Sequence, residues 1–262
     1  MNLGLNDRHA LVLGASQGLG LATARALLAE GARVTLSGRS PERLEAARAS
    51  LPAEQQARCY LAVADLGDAD AAAIISARAQ ELGGPVDILV NNTGGPPPGT
   101  PSAITTEAMA TYFSSMVTPV VALTLDLVAG MRTRGWGRVL TIASSGVVQP
   151  IPHLPMSNAL RSTLVGFMKS LAGEVAVDGV TVNIVLPGRI ATGRTQSIDA
   201  AQAQKSGKST EEVAMAPTAS IPAGRYGTPE EFAAVVTFLA SSQASYVTGS
   251  MMRVDGGAIR AI

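Results

Sequence analysis

Short apolar runs alternate with helix-patterned segments along nearly the whole chain, and that alternation leaves few folds open. The runs are His9–Gly14, Arg33–Gly38, Arg58–Leu66, Val86–Asn92, Gly137–Ser145, Val180–Gly188 and Met251–Gly257. Between them, helical spacing covers Leu19–Gly31, Ser40–Leu51, Asp68–Gly84, Ile104–Arg134, Leu154–Ala176 and Thr228–Ser241. Ser40 is positioned to cap the second helix with Pro41 at its first residue, and Pro119 interrupts or kinks the fourth. Strand–helix repetition of this kind builds a parallel sheet covered on both faces. The strands fit such burial, being continuous apolar runs rather than in–out alternations. No fixed-period repeat or linker divides the chain, so residues 1–262 are expected to form one domain. Residues 191–220 are long, small and polar; lying between a strand end and the next element, they are a candidate lid.

The first strand runs into Gly14-Ala-Ser-Gln-Gly-Leu-Gly20, which opens the first helix. Glycines there let the backbone approach a pyrophosphate lying on the helix N-terminus. A glycine-rich stretch alone is also an ordinary tight turn; its place after strand one favours a nucleotide. The expected architecture is a single-domain, Rossmann-type, doubly wound α/β fold of about seven parallel strands.

Composition narrows the function classes. Lys plus Arg equals Asp plus Glu at 20 each, so nothing favours nucleic acid as a partner. Hydrophobic residues make up 47% but aromatics only 3%, so the core must be aliphatic. The lone Cys59 excludes an internal disulfide and fits a reducing compartment. With His9 and His153 the only histidines, no His/Cys metal cluster is expected. The start lacks a signal-peptide pattern and no apolar run reaches about 18 residues, so a cytoplasmic protein without a membrane partner is expected.

The glycine spacing is Gly-x-x-x-Gly-x-Gly, and with it the chain resembles the short-chain dehydrogenase/reductase family. Further pieces follow in order: Asp65 in Ala-Asp-Leu, Asn91-Asn-Thr-Gly94, Ser144 in Ile-Ala-Ser-Ser, and Pro187-Gly-Arg-Ile-Ala-Thr192. The resemblance spans almost the whole chain and is nearest to 3-oxoacyl-carrier-protein-reductase-like enzymes. It implies a nicotinamide cofactor held by Gly14, Ser16, Gln17, Gly18, Leu19 and Gly20 in the first turn. It also implies Asp65 and Leu66 near the adenine, and Asn92, Thr93, Gly94, Pro187, Gly188, Ile190 and Thr192 nearer the nicotinamide. The second strand ends Gly38-Arg39-Ser40, where an NAD enzyme usually carries an acid for the ribose hydroxyls. A guanidinium there suits a 2′-phosphate. NADP is therefore expected over NAD, with Arg39, Ser40 and possible help from Ser16.

The family's proton donor is a tyrosine, followed four residues later by a lysine that holds the nicotinamide ribose. Counting thirteen residues on from Ser144, or back from Gly166-Phe-Met-Lys-Ser-Leu-Ala172, puts these at Ser157 and Arg161. The family's asparagine falls near Met116, with Ser115 beside it. Of the four residues only Ser144 is kept. A phenol titrates near 10 and can be tuned; an aliphatic hydroxyl is far weaker, and arginine for lysine is not conservative. His153, in the loop before this helix, is the candidate replacement acid; a water held by Ser144, Ser157 and Arg161 is the other. Asn158 faces about 100° away from position 157 and ranks below both.

The leading expectation is an NADP(H)-dependent oxidoreductase of a small-molecule or acyl carbonyl substrate, with Ser144 on the carbonyl and Arg161 on the ribose. The alternatives are a cofactor-binding protein without turnover, and a lyase or isomerase on the same fold. The resemblance also implies a homodimer or homotetramer packed through Ile104–Arg134 and Leu154–Val177.

Overall fold

Each of the seven apolar runs contains a strand: β1 (His9–Val12), β2 (Arg33–Gly38), β3 (Cys59–Val63), β4 (Ile88–Asn91), β5 (Gly137–Ile142), β6 (Val180–Pro187) and β7 (Met251–Val254). The structure is a computed structural model and describes residues 2–207 and 209–261. The strands form one parallel sheet in the order β3-β2-β1-β4-β5-β6-β7. The helices are α1 (Gly18–Ala29), α2 (Pro41–Ala49), α3 (Ala53–Gln56), α4 (Ala71–Gly83), α5 (Thr106–Met116), α6 (Thr118–Thr133), α7 (Pro155–Val175), α8 (Gly193–Ser206), α9 (Thr210–Ala219) and α10 (Pro229–Ala240).

Successive strand side chains point to opposite faces, and both faces are apolar. Ala10, Val12, Ile88, Val90 and Leu140 join Leu27, Leu28 and Phe232 in one core. Leu11, Leu89 and Val139 join Leu123, Leu127 and Leu164 in the other. That double burial is why the strand sequences lack polar alternation. The chain winds outward from β1 to β3 and returns to place β4 on the other side of β1. Such a reversal leaves a crevice beyond the carboxyl ends of the two strands, the usual ligand position in open α/β sheets.

One expectation needs correction, and two segments gain detail. The interruption expected at Pro119 divides Ile104–Arg134 into two helices, α5 and α6, separated at Val117; Pro119 has no N–H to continue the ladder, and its ring crowds the preceding turn. Together Thr106–Thr133 are long and apolar enough by length and composition to cross a membrane, with mean hydropathy 1.6 in their most apolar window. This departs from the expectation that no apolar run is so long, but Val120, Leu123, Leu127, Val128 and Met131 spend that apolarity in the core. Finally, the segment 191–220 is mostly helical, its helix α8 ending at Gly207 in the left-handed conformation, φ 67°.

Candidate active site

The turn after β1 is shaped by its glycines. Gly14 and Gly18 have φ of 57° and 58°, a region that side-chain-bearing residues rarely adopt. A Cβ at Gly20 would collide with the Gly14 carbonyl. Asn92, just past β4, donates its amide to that same carbonyl at 3.3 Å, so the ends of β1 and β4 are joined. Helix α1 then begins with no side-chain cap and no acid in its first turn. Helices α2, α5, α8 and α10, by contrast, are capped by Ser40, Thr105, Thr192 and Thr228. Helices α3, α4, α6 and α7 are uncapped as well, but only α1 opens from a glycine turn, which leaves its first amides accessible to an anion that the helix dipole favours. Thr192 stands opposite: its methyl carbon would be 3.8 Å from a Cβ at Gly18. Ser16, Gln17 and Leu19 lie in the same turn.

The Pro187–Thr192 segment is held from both sides. Gly188 donates to Val254 (2.9 Å), and its Cα packs so closely on Asp255 that a Cβ would come 2.6 Å from the Asp255 Cα. Ile190 is buried and bridges to Gly227.

At the end of β2, the Arg39 side chain is 80% exposed and lies 3.9 Å from Asp65. Asp65 also accepts the Gly67 N–H at 3.0 Å, while Leu66 packs on the core edge. The Ser40 hydroxyl is committed at both ends: it accepts from the Arg43 N–H (3.2 Å) and donates to Glu42 (2.8 Å). Arg39 is thus the better-placed of the two for a 2′-phosphate, since Ser40 is spent on its cap.

Pro155 opens α7, and one turn in, Ser157 and Arg161 point inward at 6% and 8% exposure. The Ser157 hydroxyl has no hydrogen-bond partner among the described residues. Arg161 donates to the main-chain carbonyls of Ile142 (3.0 Å), Gly94 (3.1 Å) and Thr93 (3.4 Å). Its guanidinium therefore ties the ends of β4 and β5 together. Burial, with a smaller contribution from the Arg194 charge, pushes its pKa down to about 10, so it remains a cation at neutral pH. The neighbouring Thr93 hydroxyl is buried without a partner.

Ser144 follows β5 and accepts the Gly146 N–H at 3.1 Å. Asn158 clasps both backbone groups of Ile151 while its Oδ1 packs against Gly146, beside Ser144. His153 is exposed in the preceding loop; its carbonyl accepts the Gly99 N–H at 3.0 Å, and its ring has no hydrogen-bond partner among the described residues. Met116 is buried in the core and the Ser115 hydroxyl is spent on the Thr111 carbonyl (3.1 Å), so neither duplicates an asparagine amide.

Residues that sequence reasoning passed over anchor α8. Asp199 accepts from Arg189 (3.3 Å) and from the Tyr226 hydroxyl (3.2 Å), tying the helix to the end of β6 and to the loop before α10. Arg194, in the first turn of α8, reaches over Gly95, where a Cβ would lie 2.8 Å from both of its terminal nitrogens. It stands two residues past the Thr192 of the recognised segment, which was the only local signal for it.

Residues 14–258 match the family described as Enoyl-(Acyl carrier protein) reductase. The chain belongs to the short-chain dehydrogenase/reductase family. Among curated members of that family, it is 38% identical to Nodulation protein G of Rhizobium sp. (strain N33), with 97% of each chain covered. It is 34% identical to the 3-oxoacyl-acyl-carrier-protein reductase of Vibrio cholerae, covering 97% of this chain and 98% of that one. The L-sorbose reductase of Gluconobacter frateurii, solved with NADPH and L-sorbose, superposes with a TM-score of 0.95 at 32% identity over 100% of both chains.

Proposed function

We propose that this short-chain dehydrogenase/reductase is an NADP(H)-dependent oxidoreductase of a carbonyl or alcohol substrate, akin to the 3-oxoacyl reductases, in which a group other than tyrosine handles the proton. The observation that carries the reading is the uncapped start of α1 behind Gly14, Gly18 and Gly20, facing Thr192. Its free amides suit a diphosphate, and Arg39 suits a 2′-phosphate. Bound there, a nicotinamide cofactor supplies or accepts the hydride. The chain's own part is to orient and polarise. Ser144 hydrogen-bonds the substrate oxygen, and the free Ser157 hydroxyl holds substrate or a water. Arg161 keeps the floor of the site rigid and positive and faces the ribose. His153, at the loop rim, exchanges the proton at its imidazole, or a water held by Ser144, Ser157 and Arg161 does so. Helices α8 and α9 cover the substrate and exclude water. Exposed Phe113 on α5 and Leu125 on α6 support a homodimer or homotetramer through that face, which light scattering tests.

Absorbance of reduced nicotinamide, followed with a panel of carbonyl and alcohol compounds, tests the redox reading. Turnover is expected, with NADPH binding about ten-fold or more tighter than NADH, since one charge-assisted bond is worth about 1.5–3 kcal/mol. Equal binding of the two nucleotides defeats the preference. The second reading, a cofactor-binding protein without turnover, draws on three Arg161 bonds going to main-chain carbonyls; tight NADPH binding with no turnover on any compound selects it. His153→Ala should lower the rate and alter its pH profile. An unchanged rate and profile leave the held water as the donor.

A further inference from the structure

The charges around Gly94 and Gly95 do not balance. Arg161 is buried, and its hydrogen bonds go to three main-chain carbonyls and to no carboxylate. Arg194 approaches from the lid side over Gly95, near enough for its charge to oppose that of Arg161. Arg194 has no ion pair or hydrogen bond among the described residues. The only acid on α8, Asp199, is engaged by Arg189 and Tyr226, and the first turn of α8 carries none. Two cations converging without a counter-charge are unfavourable, here one of them buried and the other, Arg194, exposed. At Gly95 a side chain would have to shift the Arg194 guanidinium, which lies directly over the glycine.

We infer that Arg161 and Arg194 form a binding site for a carboxylate on the substrate, which makes the substrate a free oxo acid or hydroxy acid rather than a neutral ester or thioester. A guanidinium offers five donors in a fork that matches a carboxylate, and Arg161 leaves part of its set uncommitted. The location favours substrate over cofactor. The diphosphate already has the amides of α1 opposite Thr192. The two arginines instead flank Gly94 and Gly95, on the side where Arg161 also grips Ile142, two residues before Ser144. The substrate class rests on the redox reading above; the anion site itself does not.

Two assays separate the inference from the redox reading. In the first, oxamate, a carboxylate that cannot be reduced at a ketone, is titrated into the NADPH complex, with oxamide as its neutral counterpart. In the second, acetoacetate and 2-oxobutyrate are compared with their methyl esters in kcat/KM. The acids should be favoured by about ten-fold or more, Arg194→Ala should erase that preference, and Arg194→Lys should keep part of it. Arg194 is exposed, so its variants should fold normally. Arg194-dependent oxamate binding without turnover of any compound upholds the anion site and defeats the redox reading. Turnover of esters equal to or better than acids, or no Arg194-dependent difference in either assay, overturns the inference. Weakened NADPH binding in Arg194→Ala with acid preference intact reassigns the arginine to the cofactor diphosphate and also overturns it.

Discussion

Single residues show how much chemistry rests on local surroundings. The two histidines are an example, one of them a candidate proton donor at an exposed loop and the other wholly structural. His9 is buried on β1, its Nδ1 donating to the Gly84 carbonyl at 2.8 Å and its Nε2 accepting from the Thr35 hydroxyl at 2.9 Å. Burial is the largest influence on it and holds its pKa below 6.5. The unfolded chain therefore binds the proton more tightly than the native one. Stability should be level above about pH 6.5 and fall as pH drops below it, by at most about 1.4 kcal/mol per unit. Melting temperatures at pH 7 and pH 5.5 should show the decline, and His9→Gln should flatten it. A decline of equal slope in the variant would assign it to other groups. Of the site, Ser144, Ser157 and Arg161 were singled out through the family resemblance. That Arg161 grips three carbonyls was not legible, because hydrogen bonds to main-chain atoms leave no residue-type signature. Arg194 was equally hidden, since its meaning comes from the absent side chain at Gly95.

Among the elements, helix ends carry the clearest contrast. Four helices spend a serine or threonine on their first turn; α1 shares its uncapped start with α3, α4, α6 and α7 and differs from them in opening from a glycine turn, Gly14 to Gly20. Thr228 shows what a full cap contributes to α10: its hydroxyl accepts from the Glu231 N–H (3.2 Å), and Glu231 returns a carboxylate to the Thr228 N–H (2.8 Å). Arg225 grips the same carboxylate, holding its pKa down to about 2. Thr228→Ala should cost about 1 kcal/mol, or about 2–4 °C in a chain of this size, with cofactor binding unchanged. Thermal denaturation measures it, and no loss would mean water replaces the cap. Ser40 with Pro41 was readable as a helix start because the cap is local. Helices α8 and α9 were not, as their small polar residues lack an apolar stripe and α9 carries Pro217 within it. Their helicity depends on what they pack against.

For the molecule as a whole, the sheet was legible almost entirely, because double burial writes each strand as an apolar run and each crossover as a helix. Strand order came from the structure and not from the sequence, since pairing partners are distant in the chain. One bond across that order has a kinetic consequence. Asn92 fastens the turn after β1 to the loop after β4, and that loop continues through Gly94 and Gly95 to Gly99, which is bonded to His153. Whatever settles the glycine turn also stiffens the rim on which the second reactant must land. The two reactants should therefore add in a compulsory sequence, nucleotide first. Product inhibition would reveal it: NADP should compete with NADPH alone, and the reduced product with neither reactant. Symmetrical competition by both products would instead describe two independent compartments, and Asn92→Ala, by cutting the one fastening between them, should move the pattern in that direction.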